Sequence, residues 1–210
     1  MNSSDKKKII DRYNKRLEEH GFSINALASG NNERRNLRFK VLTEIGIQNG
    51  DTVLDLGCGF GDLHNYFTQN NIDIKYIGID INEKIIALGK EMNPTIDIRV
   101  LDILNDTIED KIDYIVSTSS FNNKLFDDDN YNFIENLLKK CYSYAKKGVA
   151  IDFLSSYVDF KINDDVFYYE PEKLLNTAKK ITKRVCVRHD YELFEFCVYI
   201  FPDFQGWAKK

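Results

Sequence analysis

The sequence predicts an α/β fold: a seven-stranded, mostly parallel sheet with helices on both faces and an antiparallel last strand, preceded by two N-terminal helices. Three observations lead there. From Asp51 onward, short apolar strand-like runs alternate with helical periodicity. The run Val53-Leu54-Asp55-Leu56-Gly57-Cys58-Gly59-Phe60-Gly61-Asp62 passes from an apolar strand through a glycine-rich turn directly into a helix pattern. The last two β-rich runs, 182–188 and 194–201, flank a short segment containing His189-Asp190-Tyr191-Glu192, which suits a hairpin.

The first helix, at 5–20, puts Ile9, Ile10, Tyr13 and Leu17 on one stripe and stops at Gly21. A polar break, Ala28-Ser29-Gly30-Asn31-Asn32, leads to a second helix at 33–45, with Leu37, Val41, Leu42 and Ile45 apolar and Gly46 as its stop. A strand at 52–56 and a short helix at 63–69 flank the glycine turn. A strand at 74–79 and a helix at 83–92 follow, the latter ended by Asn93-Pro94. Strands at 96–101 and 112–117 precede a helix at 129–144, where Phe133, Leu137, Leu138 and Cys141 are spaced for burial and Gly148 closes the element. A strand at 149–154 and a helix at 172–179 lead to the hairpin. For 210 residues one domain is expected: a helical lid at 1–46, hinged at Ser29-Gly30-Asn31-Asn32, and a core at 47–210. An aromatic-rich insert near 155–170 carries Tyr157, Phe160, Phe167, Tyr168 and Tyr169.

Composition narrows the function classes. With 29 Lys and Arg against 33 Asp and Glu, the net charge is −4, which disfavours a nucleic-acid substrate because phosphate-gripping domains carry basic excess. No apolar run approaches the roughly 20 residues of a membrane span, and the first eight residues do not read as a signal peptide, so a cytoplasmic protein is expected. The four cysteines (58, 141, 186, 197) form no CxxC pair and the three histidines (20, 64, 189) are scattered, so no zinc or other metal site is expected. The Asp127-Asp128-Asp129 run reads as a charge cluster at a helix N-terminus.

Glycine lets backbone approach a nucleotide-like ligand closely. The dinucleotide fingerprint GxGxxG would want Gly or Ala at 62, where this chain has Asp62. The segment VLDLGCGFGD instead resembles motif I of class I S-adenosylmethionine (SAM)-dependent methyltransferases, in their small-molecule branch. That resemblance covers residues 33–201 and implies a Rossmann-like sheet of strand order 3-2-1-4-5-7-6. It also implies SAM as cofactor, with S-adenosylhomocysteine (SAH) as product. Gly57, Cys58, Gly59 and Gly61 would then pass beneath the methionine portion and ribose, and Asp55 would contact the amino-acid end. An alternative use for Asp55 is to satisfy turn amides.

Asp80 ends the second strand, 23 residues after Gly57 (80 − 57), near the roughly 20 at which an acid holds a ribose diol. Its two oxygens match two hydroxyl donors; Asp80 could instead cap the next helix, although Asn82 offers that too. By resemblance Asp102 accepts from the adenine amino group beside the Ile103 backbone, and Ile81 and Ser117 also belong to the cofactor site. Arg38, or Tyr13 on the first helix, would close over the SAM carboxylate, a bidentate match for a guanidinium.

For the acceptor, the segment Ser117-Thr118-Ser119-Ser120-Phe121-Asn122 lacks the Asp/Asn-Pro-Pro-aromatic run of amide- and adenine-methylating relatives, and no Pro precedes a cysteine. A hydroxyl acceptor is favoured, with a sugar or surface-glycan precursor as one instance. A hydroxyl needs a base or a metal. His189, oriented by Asp190, is the candidate base; Asp152 could alternatively assist a metal. Ser120, Phe121, Asn122, Tyr157 and Tyr191 are the candidate acceptor contacts. A catalytically silent SAM-binding partner subunit and an NAD-dependent dehydrogenase are the rival readings; the oligomeric state is left open.

Overall fold

Residues 1–160 and 164–204 are described by the computed structural model. Helices α1 (Ser3–His20) and α2 (Asn32–Thr43) precede β1 (Thr52–Leu56), α3 (Asp62–Gln69), β2 (Lys75–Asp80), α4 (Glu83–Met92), β3 (Ile98–Val100) and β4 (Ile112–Ser117). The chain continues through α5 (Asn130–Tyr144), β5 (Ala145–Leu154), α6 (Pro171–Lys179), β6 (Val185–Arg188) and β7 (Glu195–Ile200). The seven strands form one sheet of order β3-β2-β1-β4-β5-β7-β6. Strands β1 to β5 pair in parallel, whereas β7 runs antiparallel to both β5 and β6. The resemblance-based order is therefore the observed one, and the final hairpin forms.

Burial on both faces explains why the central strands read as continuous apolar runs rather than alternating ones. One core layer packs Leu54, Ile77, Ile115, Ile151 and Phe153 against α5 and α6 side chains such as Leu137 and Leu174. The other packs Val53, Tyr76, Val116 and Ala150 against Phe39 and Leu42 of α2 and Leu63 and Phe67 of α3. Asn2, Asn31, Asn82 and Asp129 each accept an amide hydrogen bond at a helix start; each such cap typically contributes ~1 kcal/mol.

Two local expectations change. Helix α5 stops at Tyr144, and Gly148 sits inside β5, because that strand starts immediately and bulges opposite Ile112–Tyr114. Gly148 is there for space: a Cβ would come within 2.9 Å of Ile45 Cδ1 and 3.2 Å of the Ile200 carbonyl. Strand β3 is also shorter than the apolar run suggested, since Ile96 packs against the α3 side of the sheet before pairing begins. Among the described residues, no helix is long and apolar enough to cross a membrane.

Candidate functional site

Strand order decides which chemistry lies side by side. In this sheet the carboxyl ends of β3, β2, β1, β4 and β5 follow one another: Asp102 lies just past β3, Asp80 ends β2, the glycine turn follows β1, Thr118 follows β4, and Asp152 sits within the last residues of β5. A single cavity runs along the first four of these positions, and the inner wall of α1 (Ile9, Ile10, Tyr13) and the linker residues Leu27 and Ser29 close it from above.

The glycine turn is a cradle built for close approach. Gly57, Gly59 and Gly61 all have positive φ, at 75°, 56° and 84°. A Cβ on Gly57 would lie 2.2 Å from Ser120 Oγ, and one on Gly59 would lie 2.8 Å from Leu27 Cδ1. Asp80 helps hold the turn: its Oδ2 accepts from the Gly59 amide at 3.2 Å and its Oδ1 from the Asn82 amide at 2.9 Å. Asn82 provides the α4 cap, accepting from Ile85, so Asp80 is released from that task and lines the cavity. Burial raises the Asp80 pKa, opposed by the amides of Asn82 and Gly59.

Asp55 also lines the cavity, and its Oδ2 accepts from Tyr76 Oη at 2.7 Å. Burial pushes it up to about 7 despite that bond. Cys58, Ile81 and Ile103 line the same space, with Leu101, Leu104 and Phe133 making an apolar slot near Asp102. Asp102 is not a free acceptor: Lys6 of α1 reaches its Oδ2 at 2.9 Å, as does Asn105 Nδ2, and the Leu104 amide reaches Oδ1 at 3.1 Å. Burial opposes its ionisation, yet Lys6 and the Leu104 amide hold its pKa below the usual value.

The arginine expectation needs correction. Arg38 faces the cavity, but its fork is taken by Glu195, with Nε and Nη2 each 2.6 Å from a carboxylate oxygen, while Nη1 donates to the Ser29 carbonyl at 2.8 Å. Glu195 lies 157 residues away, so no local pattern could reveal the pair. Arg35, one turn earlier on α2, was not singled out from sequence. It lines the cavity, pairs with Asp62 at 2.9 Å and keeps Nε buried without a partner among the described residues. The signal was Asp62 itself, an acid where a dinucleotide site wants glycine. Tyr13 does line the cavity, and burial raises its pKa against a hydrogen bond with the Asn123 side chain.

Other candidates fall outside. Ser117 is fully buried and donates to the Leu56 carbonyl at 2.5 Å, tying β4 to β1 below the cavity. Asn122 uses Oδ1 to accept from the Leu154 amide at 2.9 Å, anchoring the loop rather than facing ligand. Ser120 and Phe121 remain in the lining. Tyr157 is exposed and hydrogen-bonds Glu172.

His189 is exposed at the sheet's far edge and stacks on Tyr157 with ring centroids 6.1 Å apart. It does not line the cavity, and Asp190 does not orient it: both Asp190 oxygens accept from Arg188, at 2.7 and 3.1 Å. Sequence adjacency placed the two together, but the stronger partner for the carboxylate is the guanidinium two residues back. His64 has Nδ1 buried without a partner among the described residues and its ring against Tyr76. Among the described residues no three His, Cys, Asp or Glu side chains cluster as a metal site requires.

The N-terminal helix is tied down at both ends of its cavity face. Asp5 accepts from the amides of Phe126, Asp127 and Asp128 at 2.9, 3.1 and 3.1 Å. Arg12 donates to Asn123 at 3.0 Å, and Asn82 Nδ2 donates to Asn14 Oδ1 at 3.0 Å. In the acidic run, Asp129 caps α5 and Asp128 receives the Asn2 amide, as a helix-start cluster would.

Residues 47–190 match the family model described as "Methyltransferase domain". A Mycobacterium tuberculosis protein named as a methyltransferase is 31% identical over 156 residues, covering 71% of this chain and 92% of the relative. A tRNA (guanine-N(7)-)-methyltransferase of Mycoplasma capricolum is 27% identical, covering 73% of this chain and 75% of that protein. The magnesium protoporphyrin IX methyltransferase of Synechocystis, solved with bound SAM, superposes with a TM-score of 0.64 at 14% identity, over 95% and 98% of the two chains.

Proposed function

This chain belongs to the class I SAM-dependent methyltransferases, and we propose that it is an active enzyme that methylates a hydroxyl oxygen of a small molecule. The observation that carries the reading is the row of groups in one cavity: an apolar slot beside Asp102, the Asp80 carboxylate, the open glycine cradle, then Thr118 to Phe121. The slot suits an adenine ring, Asp80 a ribose diol, and Arg35, with its spare buried Nε, the methionine carboxylate. When bound there, SAM supplies an electrophilic methyl group. The chain's own task is to align an acceptor with it and exclude water.

Tyr13 and the other α1 side chains cover the cavity, so residues 1–46 act as the lid of one catalytic domain. Entry of SAM requires the Lys6–Asp102 contact and the Asp5 latch to loosen, with the hinge at Ser29-Gly30-Asn31-Asn32. A sugar-like hydroxyl fits the polar segment at 118–120 better than a planar amide, which relatives hold with prolines absent here. The net charge of −4 counts against RNA as acceptor.

The test is a screen for SAH formation with pooled sugars and other hydroxyl metabolites, with tRNA as a parallel arm. The proposal expects SAH with a hydroxyl compound and an O-methylated product by mass spectrometry. Methylation confined to tRNA, or binding of SAM with no acceptor-dependent SAH in any pool, would contradict it.

A further inference from the structure

We propose that Thr118 and Asp152 form the proton-accepting site for the acceptor hydroxyl, Thr118 touching that hydroxyl and Asp152 acting behind it as a positioning residue. The assignment rests on the hydroxyl reading above and adds the residues that would make such an acceptor reactive.

Thr118 lines the cavity past the end of β4, at the opposite end of the row from Asp102. Its hydroxyl hydrogen is committed inward, with Oγ1 donating to Asp152 Oδ2 at 2.6 Å. What Thr118 can offer a cavity occupant is therefore an oxygen lone pair, the partner that an acceptor O–H wants. The next residue, Ser119, has a φ of 55°, a left-handed conformation unfavourable for a side chain. That geometry sends its amide to Asp152 Oδ1 at 2.6 Å. Strained backbone of this kind, costing about 1–3 kcal/mol, persists where the surroundings enforce it and clusters at working sites.

Asp152 is 2% exposed and no cation bonds it among the described residues, because the Arg38 fork is spent on Glu195. The groups around it are Thr118 and Ser119 beyond β4, Glu195 and Cys197 on β7, Arg38 on α2 and Tyr191 on the β6–β7 loop. Two carboxylates thus share the field of one guanidinium in a buried site. Burial first, then the Glu195 charge, push Asp152 up to about 7, against Arg38, Thr118 and the Ser119 amide. A base of that strength is matched to work near neutrality. The Tyr191 hydroxyl is buried nearby with no partner among the described residues, a polar group that a purely structural cluster would have satisfied.

The step balances with these two residues alone. The acceptor O–H bond breaks as its O–CH3 bond forms; the acceptor proton passes to Thr118 Oγ1 while the threonine proton passes to Asp152 Oδ2. The electron pair of the broken C–S bond stays on sulfur. The positive charge of the sulfonium and the negative charge of Asp152 are both lost, leaving a neutral ether, a thioether and a neutral carboxyl. Asp152 returns its proton to water after the product leaves.

The test uses the full chain with SAH bound and aspartate labelled at the carboxyl carbon, titrated by NMR, with Asp152→Asn to assign the signal. The Asp152 carbon should titrate near neutrality. Thr118→Val should move its midpoint upward, since a bond to the charged form is lost, with SAH affinity within about threefold of the parent. In turnover with the acceptor from the SAH screen, Thr118→Val and Asp152→Asn should lower kcat by roughly 10²–10⁴-fold at unchanged KM for SAM. Thr118→Ser should restore most of it, and the acidic limb of the kcat profile should vanish in Asp152→Asn. An Asp152 carbon titrating in the ordinary carboxylate range, an unmoved midpoint in Thr118→Val, or parent turnover in that variant overturns the assignment. Methyl transfer to nitrogen or carbon, with the titration as expected, overturns the hydroxyl reading and this proposal with it, so the two failures are told apart.

Discussion

Replacing Arg38 with Met should destabilise the protein severely, and the structure sets the size. Both side chains of the Arg38–Glu195 pair are nearly inaccessible, at 9% and 4%, and two contacts of 2.6 Å join them. Two unit charges about 4 Å apart at an effective dielectric near 20 attract by about 4 kcal/mol. Removing one partner of such a pair strands the other and costs about 3–5 kcal/mol. Here the stranded Glu195 also faces Asp152, and the Ser29 carbonyl loses its donor. Urea unfolding at pH 7.5 should show that loss, with Arg38→Met/Glu195→Met recovering most of it, because the apolar pair strands no partner and Asp152 loses the Glu195 repulsion together with the Arg38 attraction. The pH dependence has a sign. Asp152 already binds its proton more tightly folded than unfolded, and without Arg38 it does so more strongly. The variant's deficit should therefore shrink as pH falls toward 5.5. A loss below about 1 kcal/mol, the level of an exposed ion pair, would refute the buried-pair reasoning.

Gly59→Val should abolish measurable SAH binding by calorimetry while the chain stays folded, because a branched side chain must adopt φ of 56° and displace Leu27 from the cavity wall. Asp5→Ala removes the acceptor of three loop amides; hydrogen exchange over residues 5–40 should accelerate in the free protein and slow again with SAH, whereas unchanged exchange would mean that the latch does not hold the lid. Asp55, pushed up to about 7 by burial, binds a proton in the folded state that the unfolded chain releases near pH 4. Its contribution therefore favours folding at low pH and is lost as pH rises from about 4 to 7, by up to about 4 kcal/mol. Asp55→Asn should flatten the fall in stability between about pH 4 and 7, and an identical slope in parent and variant would contradict that account.

The fold was legible because its signals are local. The apolar runs at 53–56 and 76–79, the glycine turn and the Asn82 cap each act over a few residues, and the structure builds β1, β2 and the α4 start from them. Most of the residues that line the cavity were legible for the same reason: a residue at or just past the end of a parallel strand is carried to the carboxyl edge whatever the rest of the chain does. What stayed hidden depends on partners far along the chain. Arg38 looked free because Glu195 sits on β7, and Asp102 looked open because Lys6 sits on α1. Ser117 shares a polar segment with Thr118 yet turns into the sheet, since the β4 hydroxyl bonds the Leu56 carbonyl. His189 and Asp190 were paired by adjacency, and Arg188 separates them. Gly148 was read as a helix stop when its role is clearance beneath Ile45.

The central claim is that the cavity along β3, β2, β1 and β4 is a SAM site anchored by Asp80. Calorimetry of the parent chain and of Asp80→Ala with SAH and with NADH tests it most directly. The account predicts one saturable SAH site in the parent, no NADH response, and at least tenfold weaker SAH binding in Asp80→Ala, since bonds to a charged group contribute about 1.5–3 kcal/mol each. Saturable NADH binding without SAH binding, or equal SAH affinity in parent and variant, would contradict it.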